Sequence, residues 1–239
     1  MSYQVDPRDN PSNYEYVVAR VRSRRGRLFD ESDYRKLVRM SASEIARFME
    51  ESEYQREMNE LGARHAGVDL IEYALARNMA KHFKDLLRWA EGNLYDYVSR
   101  YLRKFDAWNV KTALRGVYSE ASPDAVKADL VRAGELDDGV LEDLAATETI
   151  EGVIDRLEGT VFYDPLVEAY DDYESTELLV PLENAVDRAF FETLLENLPT
   201  SLFSGRADEQ YLEFLRAEID FRNLRNALRL VRRGADMDP

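Results

Sequence analysis

Apolar residues return along this chain with a helical period and almost never in strand-like alternation. Tyr14, Val17, Val18 and Val21 share one stripe at i, i+3, i+4 and i+7, which predicts a helix over 14–24 that Gly26 ends. Asp30 is placed to cap a short helix reaching Leu37, and Ser41 with Glu44 forms a capping-box pair for another reaching Glu51. A long stripe follows over 68–105, with Gly92 and Asn93 as its interruption, and 106–118 is again helical. The stretch 116–123 is a polar break, and Pro123 suits the first turn of the next helix. Further helices fit 124–133, 138–146, 148–157, 163–173, 178–198 and 208–232, while 1–12 reads as a loose polar leader. The class is all-α.

The helical pattern also repeats. Arg24, Gly26, Leu28 and Asp30 recur 108 positions later as Arg132, Gly134, Leu136 and Asp138. Ile45, Arg47, Phe48 and Tyr54 recur at an offset of 109 as Ile154, Arg156, Leu157 and Tyr163. Glu72, Ala74, Leu75 and Arg77 recur at 111 as Glu183, Ala185, Val186 and Arg188. Asp106, Asn109, Val110, Ala113, Leu114 and Arg115 recur at 114 as Asp220, Asn223, Leu224, Ala227, Leu228 and Arg229. Four matches in one order, with slowly drifting offsets, predict two tandem copies of a multi-helix unit. Solenoid repeats are shorter, at roughly 20–50 residues. The expected division is a leader at 1–13, a first unit at 14–118 and a second at 119–239, with helices over 122–232.

In the last matched helix, Asp106, Asn109, Val110, Ala113 and Leu114 fall on one broad face at ~100° per residue, with Arg115 nearly opposite. The same holds for Asp220, Asn223, Leu224, Ala227 and Leu228 against Arg229. Two readings are open: the polar pair caps or bridges neighbouring helices at the edge of a core face, or both copies present it for docking.

Composition narrows the chemistry. A net charge of −15 disfavours nucleic-acid binding through a broad basic surface. Six lysines stand against 26 arginines, a balance that, with the acidic excess and the lack of cysteine, fits a very salty cytoplasm. At ~1 M salt the Debye length is ~3 Å, so dense carboxylates repel one another little. The absence of cysteine excludes disulfides and thiolate-ligated metals. The two histidines, His65 and His82, lack the spacing of helical zinc or di-iron sites. The adjacent carboxylates Glu50/Glu51 and Asp171/Asp172 point about 100° apart on a helix and do not form an acid–base pair. No Gly-rich phosphate loop and no run of ~20 apolar residues is present. Catalytic, cofactor-binding and metal-binding residues are therefore expected to be absent.

The segments 21–38 (VRSRRGRLFDESDYRKLV), 69–83 (DLIEYALARNMAKHF), 101–116 (YLRKFDAWNVKTALRG) and 214–234 (FLRAEIDFRNLRNALRLVRRG) resemble the C subunit of the archaeal-type (A/V-type) ATP synthase, a relative of the d subunit of the vacuolar proton pump. The resemblance covers nearly the whole chain. It implies a funnel-like, all-helical protein of three similar units, placed between the central stalk and the membrane proteolipid ring. The implied role is a non-catalytic rotor adaptor supporting proton-driven ATP synthesis, peripheral to the cytoplasmic face of the cell membrane through those partners and without a cofactor. This chain departs from the family in carrying two copies of the unit: Gly234 and Pro239 fall where Gly116 and Pro123 open the second. A fragment, a truncated reading frame and a shortened variant all fit that departure. The alternative function, from another class, is a generic helical scaffold for unrelated partners.

The charge makes a direct prediction. Thermal midpoints should rise between dilute buffer and molar potassium chloride, beyond the range that screens ordinary surface pairs. Flat or falling midpoints would remove the salt-adaptation reading.

Overall fold

The computed structural model describes residues 6–195 and 206–232. They form twelve α-helices, a short 3-10 turn at Pro7–Asp9 and no strand. The chain divides into two compact units, Met1–Leu194 and Leu195–Pro239. The first holds α1 (Tyr14–Arg25) to α11 (Val180–Leu195) almost entirely, and the second holds α12 (Arg206–Arg232).

Local chemistry explains several helix starts. Asp30 opens α2 (Glu31–Leu37) through a full capping box, accepting from Ser32 N and Asp33 N while Asp33 accepts from Asp30 N. Ser41 and Glu44 do the same for α3 (Ala42–Glu50). The helix α4 (Gln55–Leu61) escapes the sequence pattern, because seven residues with apolar groups only at Met58 and Leu61 show little period. It is nonetheless held firmly. Met49, Tyr54, Met58, Leu70 and Ala74 form a buried cluster joining α3, α4 and α5 (Gly67–Trp89), with Phe29 and Ile45 against it. Inside that joint the buried Asn78 donates to the buried Glu57 carboxylate at 3.2 Å, and Lys81 stands 3.6 Å from its other oxygen.

The helix α6 (Asn93–Tyr118) is one continuous helix of 26 residues, with no interruption before Asp106. Its neighbours are α5, the N-terminal 3-10 turn, α7 (Pro123–Asp129), α8 (Asp138–Ala146) and α9 (Ile150–Asp155). Ser122 caps α7 with Pro123 at its first position. That helix stops at Asp129, short of the expected 133, because the next residues are drawn into a loop that α6 holds. Asp137, one residue before the repeat-matched Asp138, caps α8, leaving Asp138 to pair with Lys84 and Arg132. α10 (Tyr163–Thr176) and α11 complete the larger unit. Residues 196–198 of the expected 178–198 helix lie outside the described residues. No helix among the described residues is long and apolar enough to cross a membrane.

The leader is not loose where it is described. Pro7 O accepts from Gly92 N at 2.8 Å, Asn13 donates to Trp89 O at 2.8 Å, and Asn13 accepts from Glu91 N at 3.1 Å. Periodicity cannot register such contacts, since they use polar side chains and backbone of a non-helical segment. Gly92 makes them possible. Its φ is +58°, and a Cβ there would meet Asn10 O at 2.5 Å and Ser12 N at 2.7 Å. Gly92→Ala should therefore cost about 1–3 kcal/mol, read as a shifted denaturant midpoint, and speed proteolysis within 6–13. An unchanged midpoint would mean that the leader is free to leave this turn.

Candidate functional site

The site that the sequence repeat brings together is a polar joint between α6 and the segment that carries the second Arg-x-Gly-x-Leu motif. Asp106 and Asn109 lie one turn apart on α6, as their i, i+3 spacing requires, and are 2% and 0% exposed. Both side chains reach backbone, not other side chains. Asn109 Nδ2 donates to Val131 O at 2.8 Å, and its Oδ1 accepts from Val131 N at 2.8 Å. The Asp106 carboxylate accepts from Glu135 N at 2.8 Å and Leu136 N at 3.1 Å, one on each oxygen. Together they satisfy four backbone groups of a segment that has no helix or sheet to satisfy them. The close approach depends on Gly134, where a Cβ would fall 2.0 Å from an Asp106 oxygen.

Charged contacts flank this clamp. Arg103 Nε donates to Glu135 at 2.6 Å. Farther along α6, Lys111 and Arg115 reach α11, donating to Asp187 at 2.5 Å and Glu183 at 2.6 Å. Arg115, which sequence geometry turns away from the Asp–Asn face, thus serves the same joint from its other side. Val110 and Leu114, between the polar groups, are fully buried.

Burial raises the Asp106 carboxyl from its ordinary 3.8 to about 6, against the pull of the two N–H donors and Arg103. Folding thus holds this proton more tightly, so the contribution of Asp106 to stability is greatest in acid and is lost as pH rises from about 4 to about 6.

The other copies of these motifs are differently occupied. Gly26 has only backbone of its own turn near a would-be Cβ, at 3.6 Å or beyond, and Leu28 is 44% exposed. Leu75 is 41% exposed, whereas its counterpart Val186 is fully buried. On α12, Asp220 and Asn223 are exposed, as are Leu224 and Leu228. The sequence reading gave both Asn109 and Asn223 a place beside a core face; that holds for Asn109 alone, because only α6 carries a loop docked on its polar pair among the described residues. Arg77 pairs with Glu60 at 2.7 Å, and Arg188 with Glu168 at 3.7 Å.

An apolar groove of about 570 Å³ runs between α1 and α5, lined by Val21, Leu28, Leu75, Met79, Phe83 and Trp89 among others. On its wall Arg24 donates to His82 Nδ1 at 2.9 Å and pairs with Asp85. Burial, then the Arg24 charge, lowers the His82 pKa, favouring a neutral ring. His65 packs edge-on against Tyr73, with ring centres 4.7 Å apart. Glu50, Glu51, Asp171 and Asp172 are exposed. Among the described residues no three His, Cys, Asp or Glu side chains are placed to hold a metal ion.

Comparison with known proteins agrees with this architecture. Residues 17–239 match the family described as ATP synthase (C/AC39) subunit, and the chain belongs to that family. It is 61% identical to the C subunit of the A-type ATP synthase of Haloferax volcanii over 228 residues, which is 95% of this chain and 64% of that protein. Identity is 58% to the corresponding protein of Halorubrum lacusprofundi, over 95% and 64% of the two chains. It is 34% to that of Methanosarcina mazei, over 93% and 60%. The chain therefore spans a little under two thirds of the length of these curated relatives.

Two substitutions test the clamp. Asn109→Leu strands the Val131 N–H and leaves Val131 O only the Ala133 N–H, and should cost about 1–3 kcal/mol; a wild-type denaturant midpoint would show that water replaces the amide. Asp106→Asn loses one of two acceptors, and its deficit against wild type should be wider at about pH 4 than at about pH 7. A deficit independent of pH would mean that the carboxyl titrates normally.

Proposed function

We propose that this chain is a non-catalytic rotor component of an A-type ATP synthase, joining the central stalk to the membrane proteolipid ring so that proton flow drives ATP synthesis. The observation that carries the reading is family membership over residues 17–239, with relatives named as the C subunit of an A-type ATP synthase. In this reading the chain sits at the cytoplasmic face of the cell membrane, held there by its partners, and carries two of the family's helical units, 14–118 and 119–239. The high-identity relatives include those of Haloferax and Halobacterium, halophilic archaea, in keeping with the acidic composition.

The α6 joint supports a mechanical role. A part that transmits torque must keep its elements in register under load. Apolar contacts are non-directional and permit sliding, whereas the clamp's hydrogen bonds weaken steeply when bent. Four of them anchored on two adjacent turns resist both shear and rotation of the 131–136 segment on α6.

The test is reconstitution with purified stalk proteins and proteolipid ring in molar potassium chloride, reading complex formation and ATP hydrolysis by the isolated chain. Stalk binding without hydrolysis is expected. With less length than its relatives, the chain should hold the ring more weakly than a full-length relative does, since a few buried anchors dominate an interface. Failure of both proteins to bind stalk or ring would sink the rotor reading.

A further inference from the structure

A cavity of about 700 Å³ opens on the side of α5 turned away from the apolar groove, between the α4–α5 corner and α7. Small residues leave the room for it: Ala76 and Ala80 on α5 and Ala128 on α7. Leu61, Leu130 and the ring of Tyr73, with His65 packed edge-on to it, supply apolar and aromatic wall. The charge of the lining runs against that of the chain. Arg64, Arg77, Lys127 and Arg132 face Asp124, the one carboxylate on the lining among the described residues. Neighbouring carboxylates leave these cations in excess. Arg77 shares Glu60 with Arg56, while Lys127 and Arg132 share Glu142 and Asp138 with Lys84, so each cluster keeps one cation unmatched. Arg64 has no carboxylate partner among the described residues. Burial, then Asp129, Asp69 and Glu72, raises the Tyr73 pKa, so its hydroxyl stays protonated and able to donate. Those three carboxylates are exposed, where concentrated salt screens them.

We propose that this cavity binds a nucleoside phosphate, its phosphate held by the excess cations, Arg64 first among them, and its base packed against Tyr73, Ala76 and Leu130. The volume lies within the roughly 300–1,000 Å³ usual for small-molecule sites. A purely apolar ligand would leave the cations uncompensated, and a bare anion would leave the apolar wall in water. A planar body with a dianionic end meets both requirements. Guanidinium groups match phosphate oxygens with paired donors, and aromatic side chains stack on bases. The site also has a mechanical connection. Leu130, Val131 and Arg132 form part of its wall, and Val131 is the residue that Asn109 holds, so a bound ligand would tie the clamped loop to α5. It needs neither stalk nor ring, and so stands or falls separately from the rotor reading.

Isothermal titration calorimetry of the isolated chain in molar potassium chloride tests the idea, with AMP as the probe. Saturable one-to-one binding is expected, together with a rise in thermal midpoint as AMP is added. Adenosine, inorganic phosphate and ribose 5-phosphate divide the ligand into its parts, and each should bind roughly tenfold or more weakly than AMP. Arg64 is exposed, so Arg64→Gln and Arg64→Glu should fold, as circular dichroism checks, and should lose about tenfold or more in affinity. Arg64→Lys should retain most of it. Arg39→Glu changes the net charge as Arg64→Glu does, at another exposed position, and should leave affinity unchanged, because at ~1 M salt only direct contacts escape screening. Absence of AMP binding by the wild type would overturn the proposal. Ribose 5-phosphate or inorganic phosphate binding as tightly as AMP would overturn it by removing the base. Equal losses in Arg64→Glu and Arg39→Glu would overturn it by reducing the effect to overall charge.

Discussion

Two polar side chains on one helix decide how the larger unit is put together. The segment between α7 and α8 has backbone groups that neither a helix nor a strand can satisfy, and it lies half-buried against the buried polar face of α6. Burying such groups unpaired costs about 1–3 kcal/mol each. Asp106 and Asn109 take four of them. Everything nearby follows from that contact. α7 ends at Asp129 because Val131 is committed to Asn109, residue 134 must be glycine because the Asp106 carboxylate occupies the space of a side chain, and Arg103 reaches Glu135 because the loop is fixed beside it.

The two members of the clamp differ in cost. Asn109 is neutral and pairs its donor and acceptor with one residue's acceptor and donor, so its burial carries no charge penalty. Asp106 needs two acceptor atoms facing two N–H groups, which an amide cannot supply, and so bears the desolvation that raises its carboxyl to about 6. This division matters for a chain of charge −15. Exposed ion pairs such as Arg56 with Glu60 add little to stability and are screened further by salt. Hydrogen bonds to buried backbone feel almost none of that screening. A protein suited to concentrated salt can keep its register on groups like Asn109 while its surface charges serve solubility.

The helices were legible in the sequence wherever local chemistry decides them. The capping pairs at Asp30 and Ser41, the stop at Gly26, the break at Gly92 and the proline at the start of α7 each act within a few residues, and each stands where the pattern predicts. What the pattern missed depends on distant partners. The α4 helix is secured by Met58 packing into a cluster drawn from three helices, and the leader by hydrogen bonds to residues about 80 positions away. The residues at 130–133, which leave the helix for a turn, have acceptable helical propensity, which loses to a side chain 22 positions earlier. For the joint, the repeat pointed to the right residues, Asp106 and Asn109, and left open whether they bridge within the fold or dock a partner. They bridge, to backbone that carries the other repeated motif.

That last relation gives the proposed duplication a physical logic. In the two-unit reading, the motif around Gly134 and the motif around Asp106 belong to different copies of the unit, yet they are two sides of one contact. A unit that ends in a clamp and begins with the loop the clamp holds can be joined to its own copy with no new interface chemistry. Joining two such units makes one contact and leaves one clamp and one loop unpaired, whatever the curvature of the array. In that reading Leu224 and Leu228, 56% and 62% exposed where Val110 and Leu114 are fully buried, belong to the unpaired clamp. Apolar area left in water carries about 25 cal/mol per Å² of unrealised stabilisation. On the two-unit reading, a core face repeated on α12 keeps its preference for burial whatever comes to cover it.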